Sequence, residues 1–300
     1  MNPLLSIVTI TYNHEPFIAK TIEGVLMQQV NFPIELIIAE DCSTDGTRAI
    51  CQHYAELYPE LIRLITSESN VGAIENERRA FVAAKGKFIA CCEGDDYWTD
   101  SLKLQKQVDF LEAHPNYSAC FHRYHKYFLD ANKYVSDGMD NLFVDIKVEG
   151  IDITKDIYMR QWTTQYLTMV FRRDMFDTSI MNTYKYFRDT IMVYYLFLAG
   201  KCYVFNFFGG VYNITPEGFY TRLNCFDRNR MEVNVLRELW QNNRNSDTQK
   251  MYIGMMQNAI DELFSIKGYK AYLLFYAFKI FILNFHFKKL IKNIIYITIK

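Results

Sequence analysis

Four carboxylates, Glu93, Asp95, Asp96 and Asp100, stand within eight positions in the segment "CCEGDDYWTD", directly after the apolar run "KFIACC". Glu93 and Asp95 flank a glycine, so in an extended or turn geometry both carboxylates point the same way. Hard divalent cations such as Mg²⁺ and Mn²⁺ take oxygen ligands, and Mg²⁺ is usually held by one or two carboxylates together with substrate phosphates. Gly94 leaves room for a phosphate to approach the backbone. The plainer reading is an acidic turn capping the next helix, a role that suits Asp100 before "SLKLQKQV". Asp95 and Asp96 are surplus to that role, and this favours a cation site.

Positioning such a site falls to the elements around it. "LLSIVTITYN" is a continuous β-branched run, the pattern of a strand buried on both faces. Ile18, Ile22, Val25 and Leu26 then recur at helical spacing, with Pro16 near the helix start. "IELIIAED" predicts a second strand, and Ile50, Tyr54 and Leu57 a second helix after "CSTDGT". "LIRLIT" and "KFIACC" are further strands, separated by the helix "AIENERRAFVAAKG", which Gly86 closes. Leu104, Val108 and Leu111 line the helix after the acidic cluster. This alternation implies a mainly parallel α/β sheet with helices on both faces. Ligands of such sheets bind beyond the carboxyl ends of the strands, where "TYNHE", "EDCSTDG" and "EGDD" fall together.

From about residue 117 to 220 the pattern is mixed. "YSACFHRYHKYF", "TTQYLTMVFRR" and "CYVFNFF" are strand-like, and a helix starts at Asp189. Beyond residue 221 the chain reads as helical, with Val233, Leu236 and Trp240 on one face and Ile253, Met256, Ile260 and Leu263 on another. The polar break "QNNRNSD" separates the two helices.

"SIVTITYNHEPFIAKTIEGVLMQQ", "ELIIAEDCSTDGT" and "NVGAIENERRAFVAAKGKFIACCEGDDYW", in this order and spacing, resemble family 2 glycosyltransferases with the GT-A fold. The likeness is strong over about residues 4 to 115 and continues weakly to about 220. It implies that Glu93-Gly94-Asp95 is this chain's D-x-D motif, with Glu in the first place. Asp95, with Glu93, would then ligate a Mn²⁺ or Mg²⁺ holding the diphosphate of a UDP- or GDP-sugar. Asp41 would meet the nucleobase, while Ile10, Thr11, Tyr12 and Asn13 wall the nucleotide pocket and Glu15 and Arg79 reach it.

In similar enzymes an Asp at the start of a helix before a "G-K" turn activates the acceptor hydroxyl, and Asp189 in "YFRDTIMVYYLFLAGK" matches that position. Attack opposite the leaving diphosphate inverts the anomeric centre. Asp189 also stands where an N-cap belongs, and helix N-terminal donors lower a carboxylate's pKa and weaken it as a base. The chain departs from the pattern in one place. Where related sequences carry an Arg and a His in "Y-R-x-H", "VYNITPEGFY" offers Tyr212, Asn213 and Thr215.

The implied organisation is a GT-A domain over 1–220, with nucleotide-sugar binding in 1–115 and acceptor and catalytic parts in 116–220. A helical region follows over 221–300. The acceptor would be a saccharide or lipid-linked glycan of a bacterial surface-polysaccharide pathway. A catalytically weakened GT-A scaffold protein of the same pathway is the rival reading, motivated by "VYNITPEG".

Composition narrows the alternatives. The net charge of −1 argues against a general nucleic-acid binder. No glycine-rich turn follows the first strand, which excludes a Rossmann dehydrogenase, and no G-x-x-x-x-G-K-[ST] occurs. A processive synthase would add membrane spans, and Gln161-Trp162 only echoes its Q-x-x-R-W motif. Seven scattered cysteines without a C-x-x-C pair, and an N-terminus without signal-peptide features, predict a reduced, cytoplasmic protein. The last thirty residues carry aromatics and lysines but no acid. They suit either an interfacial helix on an anionic membrane at the inner face of the cell or a helix packed on the catalytic domain.

Overall fold

The computed structural model describes residues 2–145, 147–154, 157–158, 163–216, 218, 221–263, 275–276 and 279. Two compact units divide the chain: residues 1–183 with 192–215, and residues 184–191 with 216–300. The basic aromatic tail and Gln161-Trp162 lie almost wholly outside the described residues.

The first unit opens with the alternation expected from sequence. Strands β1 (Leu5–Thr11), β2 (Ile34–Glu40), β3 (Ile62–Ile65) and β4 (Phe88–Cys91) are separated by helices α1 (Ile18–Leu26), α2 (Thr47–Leu57) and α3 (Ala73–Ala83). A two-residue strand, β5 (Tyr97–Trp98), precedes α4 (Lys103–Ala113). Then follow β6 (Tyr117–Phe128), β7 (Lys133–Ser136), β8 (Gly150–Ile153), β9 (Val170–Arg172), α5 (Asp189–Ala199) and β10 (Lys201–Ile214). The sheet runs β3-β2-β1-β4-β9-β6-β10-β5, with β7 on β6 and β8 on β10. β3, β2, β1 and β4 are mutually parallel, and β9 enters antiparallel between β4 and β6.

Alternation along the strands assigns the two faces. Leu5, Ile7, Leu36, Ile38, Phe88 and Ala90 join one core with Ile18, Ile22 and Val25 of α1, Cys51 of α2, and Leu104, Val108 and Leu111 of α4. α3 packs against β1 and β2, and its Phe81 meets Phe171 and Phe176 edge-on. With helices on both sides, every residue of β4 is buried, which is why this strand reads as an unbroken apolar run.

Three expectations need correction. "TTQYLTMVFRR" is a strand only at Val170–Arg172, and Tyr166–Thr168 forms a 3₁₀ turn. Thr163, Thr164 and Leu167 are buried there, so the composition reported burial rather than strand pairing. Gly86 is not a left-handed helix cap, because only Gly72 and Gly138 among the described glycines have positive φ. It sits against the backbone of Leu5 and Ser6, where any side chain would collide. α4 begins at Lys103 rather than beside Asp100, whose Oδ1 accepts the Leu102 N–H at 2.8 Å.

In the second unit, α6 (Cys225–Asn242) and α7 (Ser246–Leu263) pair across the short break at 243–245. Val233 and Leu236 are buried with Met256 and Ile260, and Trp240 stacks on Tyr252. Asn224 caps α6 by accepting the Asp227 N–H at 2.9 Å.

Candidate active site

β2, β1 and β4 are neighbours in that order, so their carboxyl ends open at one edge of the sheet. Past β4 the chain stays on β1. Cys92 N–H donates to Val8 O at 3.0 Å and Gly94 N–H to Ile10 O at 2.9 Å. The acidic turn is thereby held against Thr11. A methyl group at position 94 would come within 2.5 Å of Thr11 Oγ1 and 2.9 Å of His14 Nδ1, so close approach to these two side chains demands glycine.

In this turn, ligand atoms of Glu93, Asp95 and Asp96 all lie within 4.8 Å of one another. Asp96 is fully buried. Its Oδ1 accepts the Asn213 N–H at 2.9 Å, and its Oδ2 is buried without a partner. Burial pushes the Asp96 pKa well up, and the charges of Asp95 and Glu93 push the same way. An oxygen-only donor set suits Mg²⁺ or Mn²⁺, and a divalent charge would offset the mutual repulsion of three carboxylates. The orphaned Asp96 oxygen and the donor chemistry both fit such an ion.

Two residues to which the sequence assigned no role complete this corner. His14 Nε2 lies 3.9 Å from Asp95 Oδ2, and its Nδ1 is 3.3 Å from Thr11 Oγ1. Its only sequence signal was membership of "TYNHE" at a strand end. Asn213, in the segment noted for lacking Arg and His, donates its side-chain amide to Asp95 O at 2.5 Å. β5 pairs antiparallel with β10 at Trp98–Gly210 and Tyr97–Val211, which brings that segment onto the acidic turn.

The loops after β1 and β2 clasp each other. Asn13, at φ 55°, accepts the Thr44 N–H at 2.8 Å through its side-chain oxygen, and its own N–H donates to Ser43 Oγ at 3.0 Å. His14 N–H donates to Thr47 Oγ1 at 2.8 Å, and Glu15 Oε2 accepts the Gly46 N–H at 2.9 Å. The carboxylate of Glu15 and the amide oxygen of Asn13 are thus engaged in joining the loops. Tyr12 is exposed, while Thr11 is buried and Ile10 half-buried.

Asp41 is 2% exposed. Its carboxylate accepts from Val71 N–H at 2.8 Å, Gly72 N–H at 2.9 Å and Ser67 Oγ at 3.2 Å, which pins the loop before α3. A carboxylate offers roughly four lone-pair sites, so about one remains for a ligand. The preceding Glu40 is fully buried. It takes the Arg48 guanidinium and the Ser43 N–H, each at 2.5 Å. Arg79 donates to Asn76 Oδ1 at 2.5 Å and to Thr66 O at 3.4 Å. It lines a groove of about 520 Å³ with Arg63, Arg78 and Lys85, apart from the acidic turn.

Asp189 belongs to the second unit and heads α5, with its Oδ1 accepting the Thr190 N–H at 2.8 Å. Burial raises its pKa to about 6 against the lowering effects of that bond and of Arg188. Desolvation therefore outweighs the helix terminus. Glu232 on α6 feels the same charge, and burial together with Asp189 lifts its pKa to about 7.

The sequence pattern of glycosyl transferase family 2 matches residues 6–185. An uncharacterised protein of Mycobacterium tuberculosis is 48% identical over 118 residues, 39% of this chain and 34% of that protein. A Bacillus subtilis protein named as a teichuronic acid biosynthesis glycosyltransferase, TuaG, is 39% identical over 109 residues, 36% of this chain and 42% of that protein. The chain thus spans between about a third and two fifths of these relatives' lengths. Among solved structures, Staphylococcus aureus TarS with UDP-GlcNAc aligns with a TM-score of 0.60 at 16% identity, over 97% of this chain and 89% of that one. The mannosyltransferase PcManGT of Pyrobaculum calidifontis, with GDP-Man and Mn²⁺, aligns with a TM-score of 0.57 at 15% identity, over 100% of this chain and 87% of that one. These likenesses establish a shared fold.

Proposed function

The chain belongs to glycosyl transferase family 2, and from that premise we propose a metal-dependent, inverting transfer of one sugar from a nucleotide-diphosphate sugar to a hydroxyl acceptor. The observation that carries this reading is the convergence of Glu93, Asp95 and Asp96 within 4.8 Å at the carboxyl edge of the parallel strands. A bound Mn²⁺ or Mg²⁺ would supply electrostatic stabilisation of the charge that develops on the leaving diphosphate. Asp95 and Glu93 are the half-buried carboxylates that would hold it, with Asp96 behind them.

The clasped loops after β1 and β2 give the donor a stiff wall, and Asp41 keeps about one lone pair for a nucleobase N–H. Asp189 is the proposed general base, receiving the acceptor's proton as its oxygen attacks the anomeric carbon. A pKa of about 6 leaves it ionised at neutral pH yet closer to the working range than a solvated aspartate. A saccharide or lipid-linked glycan of surface-polysaccharide synthesis is the proposed acceptor, in keeping with the pathway for which TuaG is named. The proposed location is the cytoplasm at the inner face of the membrane. Among the described residues no helix is long and apolar enough to cross a bilayer.

The test is release of UDP or GDP from a panel of UDP- and GDP-sugars, in Mn²⁺ and in EDTA. Release that needs the ion supports the proposal. Equal release in EDTA removes the metal, and no release from any donor favours the scaffold reading.

A further inference from the structure

His14 is placed like a ligand rather than a bystander. It follows the left-handed Asn13, and its N–H is anchored on Thr47 Oγ1 at 2.8 Å, so the backbone that carries the ring is fixed from the first residue of α2. The ring is fixed from the other end by Thr11 Oγ1, 3.3 Å from Nδ1, and by Gly94, whose missing side chain leaves room for it. What remains is Nε2, 3.9 Å from Asp95 Oδ2. Two donors bound to one ion at about 2.1 Å each can stand up to about 4.2 Å apart, so this spacing accommodates a shared cation. When Nδ1–H donates to Thr11, the Nε2 lone pair faces the carboxylate, the arrangement in which a hydroxyl or carbonyl orients a metal-binding imidazole.

We infer that His14 Nε2 joins Asp95 as a ligand of the divalent ion, with Thr11 orienting the ring, and that this nitrogen biases the site toward Mn²⁺ over Mg²⁺. The bias follows from donor type. Mg²⁺ strongly prefers oxygen, whereas imidazole nitrogen suits first-row transition ions. The inference rests on the metal reading above and deepens it.

The experiment uses the full chain with Mn²⁺ and either UDP or GDP, and reads the ion directly. Electron spin-echo modulation of bound Mn²⁺ should show ¹⁴N coupling in the wild type and none in His14→Ala or His14→Asn. Mn²⁺ affinity should fall by at least about 10-fold in both variants, while Mg²⁺ affinity changes far less. Thr11→Val should weaken Mn²⁺ binding to a smaller degree and keep the nitrogen signal. Should the wild type bind Mn²⁺, lose it on Asp95→Asn, yet show no nitrogen coupling, His14 is not a ligand and the metal reading survives. If the wild type binds no Mn²⁺ with either nucleotide, the metal reading itself falls. The wild-type spectrum decides the matter even if a variant fails to fold.

Discussion

The Asn213 N–H donates to Asp96 Oδ1 at 2.9 Å, tying β10 to a buried carboxylate of the acidic turn. The same residue's side chain reaches Asp95 O at 2.5 Å, so one asparagine braces two consecutive acids. A segment that looked depleted of chemistry is therefore a structural support for the proposed ion site. Asn213→Ala keeps the backbone bond and removes the side-chain bond. Expected are a loss of about 1 kcal/mol in stability and a several-fold weaker Mn²⁺ affinity, measured by denaturant unfolding and calorimetric titration. Unchanged metal affinity would confine Asn213 to a packing role.

Asp95→Asn should abolish Mn²⁺-dependent tightening of UDP or GDP while leaving the fold intact. Asp95 is half-buried and its neighbours are already crowded with negative charge, so removing one charge relieves repulsion. The variant's melting temperature without ligand should equal or exceed the wild type's. Its shift on adding Mn²⁺ with UDP or GDP should vanish, since a ligand stabilises only by binding the native state.

Asp189 makes a pH prediction with a definite sign. Its carboxyl is raised from 3.8 to about 6 by burial, so between those values the native state holds more protons than the unfolded state. Stability contributed by the group is present below about pH 4 and is lost as pH rises through 6. Asp189→Asn should accordingly stabilise the protein at pH 8, on the order of 2 kcal/mol, with little effect at pH 4. Transfer should collapse in the same variant, and the wild-type rate should fall below about pH 6. Near-wild-type transfer by a folded Asp189→Asn protein would remove Asp189 as the base.

The sequence revealed elements wherever burial and pairing coincide. β1, β2 and β4 are covered on both faces, so their apolar runs matched the strands to within a residue or two. Residues 163–164 and 166–169 broke that link, since they are buried but run through a 3₁₀ turn instead of extending the strand. β5 is two residues long and leaves no periodic trace. Site residues were legible when they carried charge beside a strand end, as Glu93 and Asp95 do. His14 and Asn213 act through proximity to residues 81 and 118 positions away, and no local spacing encodes that. Glu40 was hidden for another reason: it lay inside the strand run "IELIIAED", and its buried pairing with Arg48 exists only once the loop folds back.

Glu40→Ala should cost about 2–4 kcal/mol, because it strips charged bonds from Arg48 and from the Ser43 N–H at once. Glu40→Gln should cost less. Denaturant unfolding of both variants checks the order, and equal stabilities would show that the charge is immaterial.

Lys103 offers the converse of Asp189. Its ammonium is fully buried without a hydrogen-bond partner, 3.9 Å over the Trp98 ring, and burial lowers its pKa from 10.5 to about 7. Between those values the unfolded chain binds the extra proton, so the group costs stability below pH 7 and the cost disappears as pH rises toward 10.5. Lys103→Met fills the same volume without that penalty. It should stabilise the protein at pH 7 by up to about 4 kcal/mol, less whatever the Trp98 contact returns, and the advantage should shrink steadily toward pH 10. Urea unfolding at pH 7, 8.5 and 10 measures the trend. A gain independent of pH would mean that Lys103 remains charged across the range, with the Trp98 face supplying what water would.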